Sequence, residues 1–238
     1  MINPGKRLRR AVDRLNALEP RPDVVLATGD LTERGKRREY ERLRKLLAPL
    51  EIPLFVIPGN HDRRESLRDA FADHWYMPAT GPIHYAIDRY PVRLIGIDTM
   101  NDGDPGGILD DDRLDWLDRT LARAKDRPTL IFMHHPPFLT GIRALDALEF
   151  RGRDALGEII GRNPQVDRIV CGHIHRAMEL RWHGTMVCTA LSTAHQFALE
   201  LREKRPLGFV LEPPGFALHI WRDGQIVTHH CLVAEHAN

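Results

Sequence analysis

Four short apolar runs constrain this chain more than any other feature, because each ends abruptly at a glycine or at side chains able to bind metal. DVVLA leads into Thr28-Gly29-Asp30, and PLFVI leads through Pro58 into Gly59-Asn60-His61-Asp62. TLIFM runs into His134-His135-Pro136-Pro137, and RIVC into Gly172-His173-Ile174-His175. Runs of this length, rich in β-branched and aromatic residues and bounded by Gly and Pro, read as strands buried on both faces. In an α/β sheet ligands bind outside the carboxyl ends of the strands, so side chains scattered from position 30 to position 175 converge on one crevice.

The segments between these strands carry the helical period. Leu8, Ala11, Val12, Leu15 and Leu18 recur at three- and four-residue steps and predict a helix over 6–18. Tyr40, Leu43, Leu46 and Leu47 predict another over 37–50, with further helices over 64–71, 111–125 (capped by Asp110) and 154–162. Paired strands are expected over 83–87 and 93–97, and a closing set over 185–191, 209–211, 217–221 and 226–231 suggests a second sheet. The expected class is α/β, a layered β-sandwich flanked by helices. No repeat or Gly/Ser/Pro-rich linker divides the chain, so residues 1–238 are expected to form one domain. The stretches 139–165 and 195–214 are expected to border the pocket, form a cap or mediate oligomerisation.

Composition narrows the function classes. The 34 basic and 33 acidic side chains leave a net charge of +1, so no global field favours a polyanion and nucleic acid is an unlikely partner. Lys6, Arg7, Arg9 and Arg10 cluster on the first helix as a solvated face. Three cysteines without CxxC spacing fit a reducing cytoplasm, and no run approaches the roughly 20 apolar residues of a membrane helix.

Chemistry follows from the strand ends. A phosphate ester resists attack because its charge repels the nucleophile, and two metal ions about 3.5–4 Å apart offset that charge and generate hydroxide at neutral pH. Such a pair needs a bridging carboxylate with imidazole and oxygen donors, a set suited to Mn, Fe, Co or Zn. Asp30, Asn60, His134, His173 and His175 are such a set. Each motif alone has a plainer explanation, a turn for Gly-Asp or a surface loop for Gly-His-x-His, but four of them at strand ends do not. Arg63 and Arg64 suit a phosphate oxygen, against the plainer role of solvated residues at a helix start.

The segments TGDLTERG, GNHD, FMHHPP and CGHIHR resemble the motifs of the calcineurin-like metallophosphoesterases, and the chain is most similar to their class III cyclic-nucleotide and glycerophosphodiester phosphodiesterases. The resemblance extends over residues 6–230 and implies a four-layer α/β/β/α fold. It implies two metals, with Asp30 bridging, Asn60, His134 and His173 completing the second metal's shell, and His175 serving the first. His61 would contact the phosphate and help the leaving oxygen, with Asp62 orienting it. Asn60, His61, Arg63 and His195 would meet the substrate, and a metal-bound hydroxide would be the nucleophile. A small phosphodiester substrate and a homo-oligomer are also implied. The alternatives are a non-catalytic binding or regulatory relative, or a nuclease of the same superfamily.

The sequence departs from the pattern at one place. Family members open on a strand ending in Asp-x-His, whereas the carboxylates upstream of Asp30 are Asp13, Glu19 and Asp23, and no histidine precedes His61. A coding start set too late, a shortened protein with one metal, and a strand supplied by another chain are the three explanations, the first being preferred. The expectation is one intact metal shell, one half built, and weak or absent activity for the chain as written.

Overall fold

The computed structural model describes residues 3–203 and 205–233. The chain runs α1 (Pro4–Asn16), β1 (Val25–Thr28), α2 (Arg37–Leu47), β2 (Leu54–Ile57), α3 (Arg64–Ala70), β3 (Tyr85–Ile87), β4 (Arg93–Gly96), β5 (Met100–Asn101), β6 (Asp104–Ile108) and α4 (Asp111–Ala122). It continues with β7 (Thr129–Met133), α5 (Arg143–Asp146), β8 (Phe150–Arg151), α6 (Arg153–Gly161), β9 (Val166–Cys171), β10 (Met178–Trp182), β11 (Thr185–Thr189), β12 (Gln196–Phe197), β13 (Phe209–Val210), β14 (Gly215–Arg222) and β15 (Gln225–Leu232). This is a mixed α/β fold of sheets flanked by helices, as the alternation of periods predicts.

The core is a six-stranded sheet in the order β10-β11-β9-β7-β4-β3. Its centre is parallel, with Ile95 beside Ile131 and Ile131 beside Ile169, all three fully buried. Parallel strands covered on both faces require such continuous apolar runs. Helix α4, started by Asp110 accepting from the Arg113 amide at 3.1 Å, sinks Leu117 and Leu121 into the same core. Helix α1 begins at Pro4, two residues before the predicted start, because the Asn3 side chain caps the Lys6 amide at 3.0 Å.

Three expectations change. The run expected to be buried on both faces, β1, is half-exposed along its whole length. It pairs in parallel with β2 alone among the described residues, and its Thr28 carbonyl is met instead by His134. The closing strands do not form one second sheet, because β11 joins the main sheet beside β9 while β12–β13 and β14–β15 are separate two-stranded ribbons. The irregular stretch after Pro137 holds α5 and β8, and β8 completes a small sheet with β5 and β6.

Arg64, offered above as a phosphate contact, is committed elsewhere. Its guanidinium grips Asp98 through two bonds of 2.6 and 3.0 Å, and also reaches the Met100 carbonyl at 2.6 Å and Asp102 at 2.7 Å. Asp98 is fully buried and also accepts the Ile83 and Met100 amides, so this pair fastens the start of α3 to the strands around it. Removing one partner of a buried pair strands the other charge. Arg64→Ala is therefore expected to lower the unfolding free energy by about 3 kcal/mol in urea denaturation at neutral pH, with no change in m-value.

Candidate metal centre

The loops after β1, β2, β7 and β9 meet at one point, and their packing leaves no room for side chains at the glycines between them. At Gly29, whose φ is +89°, a Cβ would fall 2.5 Å from His134 Nδ1, and at Gly59 a Cβ would strike the Asp30 carboxylate. Only glycine permits this approach of the first two loops.

His134 Nδ1 lies 2.7 Å from the Thr28 carbonyl oxygen, which can only accept, so Nδ1 carries the hydrogen. Nε2 of the neutral ring is then a bare lone pair. It sits 3.0 Å from Asn60 Oδ1, 3.3 Å from Asp30 Oδ2 and 3.2 Å from His173 Nδ1, and that last nitrogen is itself 3.0 Å from Asn60 Oδ1. Three further atoms able to ligate a metal thus surround the bare Nε2 of His134. Without a cation, the relief available is a proton on an imidazole: burial opposes charging His134, but Asp30 and the Thr28 carbonyl outweigh it and raise its pKa. Burial and the neighbouring His134 push His173 the other way, down to about 3. For Asp30, burial alone would favour the neutral acid, but His134 and the His61 amide overcome it and hold the carboxyl well below its ordinary value. A carboxylate, an amide oxygen and two imidazole nitrogens converging in this way fit a divalent metal.

His175 lies beside this knot of acceptors. Its ring stacks on Phe197 at 4.6 Å and meets His195 edge-on at 4.7 Å, while its Nδ1 is buried without a hydrogen-bond partner. Burial, then the adjacent His195, lower its pKa to about 4, which leaves a neutral ring with an unused nitrogen. Among the described residues five non-glycine residues have positive φ, and three of them are Asp30 (+53°), His173 (+65°) and His175 (+51°). Backbone strain of this kind concentrates where side chains must be aimed.

The remaining predicted residues divide. His61 is exposed on the rim, its amide donating to Asp30 Oδ1 at 3.0 Å and its Nδ1 to the Glu33 carbonyl at 3.0 Å. Asp62 does not orient His61. Its carboxylate is buried and receives the Leu31 and Gly59 amides and the Thr32 and Tyr40 hydroxyls, so the orienting role passes to the backbone of Glu33. Arg63 is exposed, and His195 is half-buried beside His175. His135, whose ring nitrogens fall close to those of His134 and His173, was not singled out by its motif. Both its nitrogens are spent, Nδ1 accepting from the Thr99 hydroxyl at 2.8 Å and Nε2 donating to the Pro105 carbonyl at 3.2 Å.

Residues 5–177 match the calcineurin-like phosphoesterase family. The chain belongs to that family. A probable glycerophosphodiester phosphodiesterase, GpdQ of Arcobacter nitrofigilis, is 37% identical over 96% of this chain and 84% of its own length. The 3',5'-cyclic adenosine monophosphate phosphodiesterase CpdA of Escherichia coli K12 is 32% identical over 90% of this chain and 77% of its own. Among solved structures, a dimetal phosphatase from Danio rerio aligns with a TM-score of 0.69 at 16% identity, over 97% of this chain and 87% of that one, which shows the shared fold.

This phosphoesterase chain should therefore bind a divalent cation through the knot of acceptors. His134→Ala removes the donor that faces the other three and is expected to weaken Mn2+ binding by about 100-fold in calorimetric titration, with the far-ultraviolet circular dichroism unchanged.

Proposed function

We propose that this chain hydrolyses phosphodiesters of the glycerophosphodiester or cyclic-nucleotide type, using a metal held by Asp30, Asn60, His134 and His173. The observation that carries the reading is the gathering of a carboxylate, an amide oxygen and two imidazole nitrogens across 3.0–3.3 Å, a set that a cation satisfies. The names of the similar proteins support the substrate class. The mixed nitrogen and oxygen donors suit Mn, Fe, Co or Zn. When bound, the metal supplies positive charge to the phosphate and lowers the pKa of a water it holds.

The chain's own residues supply the rest. Asp30 is the carboxylate available to two cations, and His175 offers its unpartnered nitrogen to the second. Among the described residues two protein donors serve the second position against four at the first. His61, fixed at its amide and at Nδ1, leaves Nε2 to hydrogen-bond the phosphate and to carry the proton that the leaving alcohol oxygen needs. Arg63 reaches a non-bridging phosphate oxygen, and His195 lines the substrate's path beside Phe197.

No helix among the described residues is long and apolar enough to cross a membrane. The three cysteines are unpaired and support a reducing, cytoplasmic setting. Exposed Leu139, Leu199, Leu201, Phe209 and Leu211 lie in or beside the two segments expected to mediate association and support a homo-oligomer.

Hydrolysis of bis(p-nitrophenyl) phosphate, glycerophosphocholine and 3',5'-cyclic AMP, before and after chelation, tests the function. Turnover of a diester that stops with chelator and returns with Mn2+ is expected. Binding of Mn2+ without turnover of any diester would favour the non-catalytic relative instead.

A further inference from the structure

The hydroxyl of Tyr40 has no role in the chemistry described above, yet it is buried at a position where a phenylalanine would pack equally well. Tyr40 lies on α2 with 1% of its surface exposed. Its hydroxyl donates to Asp62 Oδ1 at 2.7 Å and accepts from the Arg63 amide at 3.2 Å. Thr32 donates to the same carboxylate oxygen at 3.2 Å and its own hydroxyl accepts the Gly35 amide at 3.1 Å.

The other oxygen of Asp62 does something more specific. Oδ2 accepts the Leu31 amide at 3.0 Å and the Gly59 amide at 2.9 Å. Leu31 directly follows Asp30, and Gly59 directly precedes Asn60. One atom thus holds the backbone flanking both residues, and the His61 amide ties the far side of Asn60 to Asp30 Oδ1. The separation of Asp30 from Asn60 is therefore set by a carboxylate that touches neither side chain. Among the described residues no lysine or arginine pairs with Asp62, which is held there by neutral donors, and the Tyr40 hydroxyl makes the shortest of these four bonds. A buried carboxylate that loses a donor has to seek another within a fixed cage.

We propose that Tyr40 is a positioning residue for the metal centre, holding Asp62 so that the loops of Asp30 and Asn60 bring both side chains to His134 Nε2 at ligating distance. The proposal rests on the metal-binding reading of the site. Residues that orient ligands without touching the metal commonly change affinity or activity by 10- to 100-fold when altered, and a site loosened by a fraction of an ångström loses most of its advantage.

The test compares Tyr40→Phe with Tyr76→Phe in the full chain. Tyr76 is also buried, with its hydroxyl bonded to the Val56 amide and the Leu54 carbonyl at 3.1 Å each, and it touches neither loop. Mn2+ affinity is read by calorimetric titration, kcat and KM on bis(p-nitrophenyl) phosphate by absorbance, and Tm by calorimetry. The expected result is about tenfold weaker Mn2+ binding and a lower kcat with KM within about twofold for Tyr40→Phe, and wild-type Mn2+ affinity for Tyr76→Phe. Should Tyr40→Phe not fold, Thr32→Val removes the other donor to the same oxygen and should weaken Mn2+ binding in the same direction. Wild-type Mn2+ affinity with a lowered Tm in Tyr40→Phe would overturn the proposal and leave the phosphodiesterase reading standing. A wild-type protein that does not bind Mn2+ would overturn both.

Discussion

Lone pairs facing lone pairs are the constraint around which this molecule is built. Asp30, Asn60, His134 and His173 come from four separate loops, and the other three each bring a ligating atom within 3.0–3.3 Å of the buried His134 Nε2. Buried acceptors without donors cost about 1–3 kcal/mol each, and each residue in the left-handed region adds a comparable amount. Such an arrangement persists only when the surrounding structure determines it. Here that structure is the parallel centre β4-β7-β9, whose Ile95, Ile131, Phe132 and Ile169 are fully buried and whose strand ends deliver two of the four loops.

Rigidity of the loops comes from side chains that do not take part in the centre. Asp62 joins the first two loops through backbone amides. His135 locks the third by spending one nitrogen on Thr99 and the other on Pro105. Asp98 and Arg64 secure the start of α3, which begins directly after Arg63. The two buried carboxylates differ in how they are stabilised. Asp98 is held by a guanidinium and survives as an ion pair, whereas Asp62 is held by four uncharged donors, and its pKa is raised chiefly by burial. A carboxylate of the second kind responds to the loss of a single hydrogen bond, which is the basis for the positioning role proposed for Tyr40.

Much of this was legible in the sequence, for a physical reason. Strand ends in an α/β sheet converge wherever their connections are right-handed and short, so motifs far apart in the chain could be assigned to one crevice without knowing any contact. What local pattern cannot carry is the partner of a polar side chain. GNHD places His61 and Asp62 next to one another, but successive side chains in an extended turn point apart, and Asp62 turns inward to Leu31 and Gly59 while His61 turns to Glu33. Arg63 and Arg64 look equivalent in sequence, yet one is exposed and the other is buried against Asp98. Tyr40 was readable as an apolar position on the inner face of α2, and its ring is that. Nothing in the helical period reports what the hydroxyl meets. The apolar run of β1 likewise predicted burial on both faces, because a run of residues cannot say whether a strand has one neighbour or two.

The centre is also asymmetric, and the asymmetry bears on how a diester would lie in it. On one side His134 is buried and His173 half-buried, beside a cavity that His135 and Phe150 also line. On the other side His175 opens onto Phe197, His195 and Phe209, ring against ring at 4.6–5.8 Å, with Phe209 largely exposed. An aromatic wall of half-buried and exposed rings accepts the flat or apolar part of a substituent and excludes little by shape. On the phosphodiesterase reading, the phosphate would be drawn to a cation held by these residues, while the two ester arms divide between the aromatic wall and the rim that holds His61. Such a site fixes the reacting atom tightly and the substituents loosely, so selectivity among diesters would come from the segment carrying His195 and Phe209 more than from the ligands themselves.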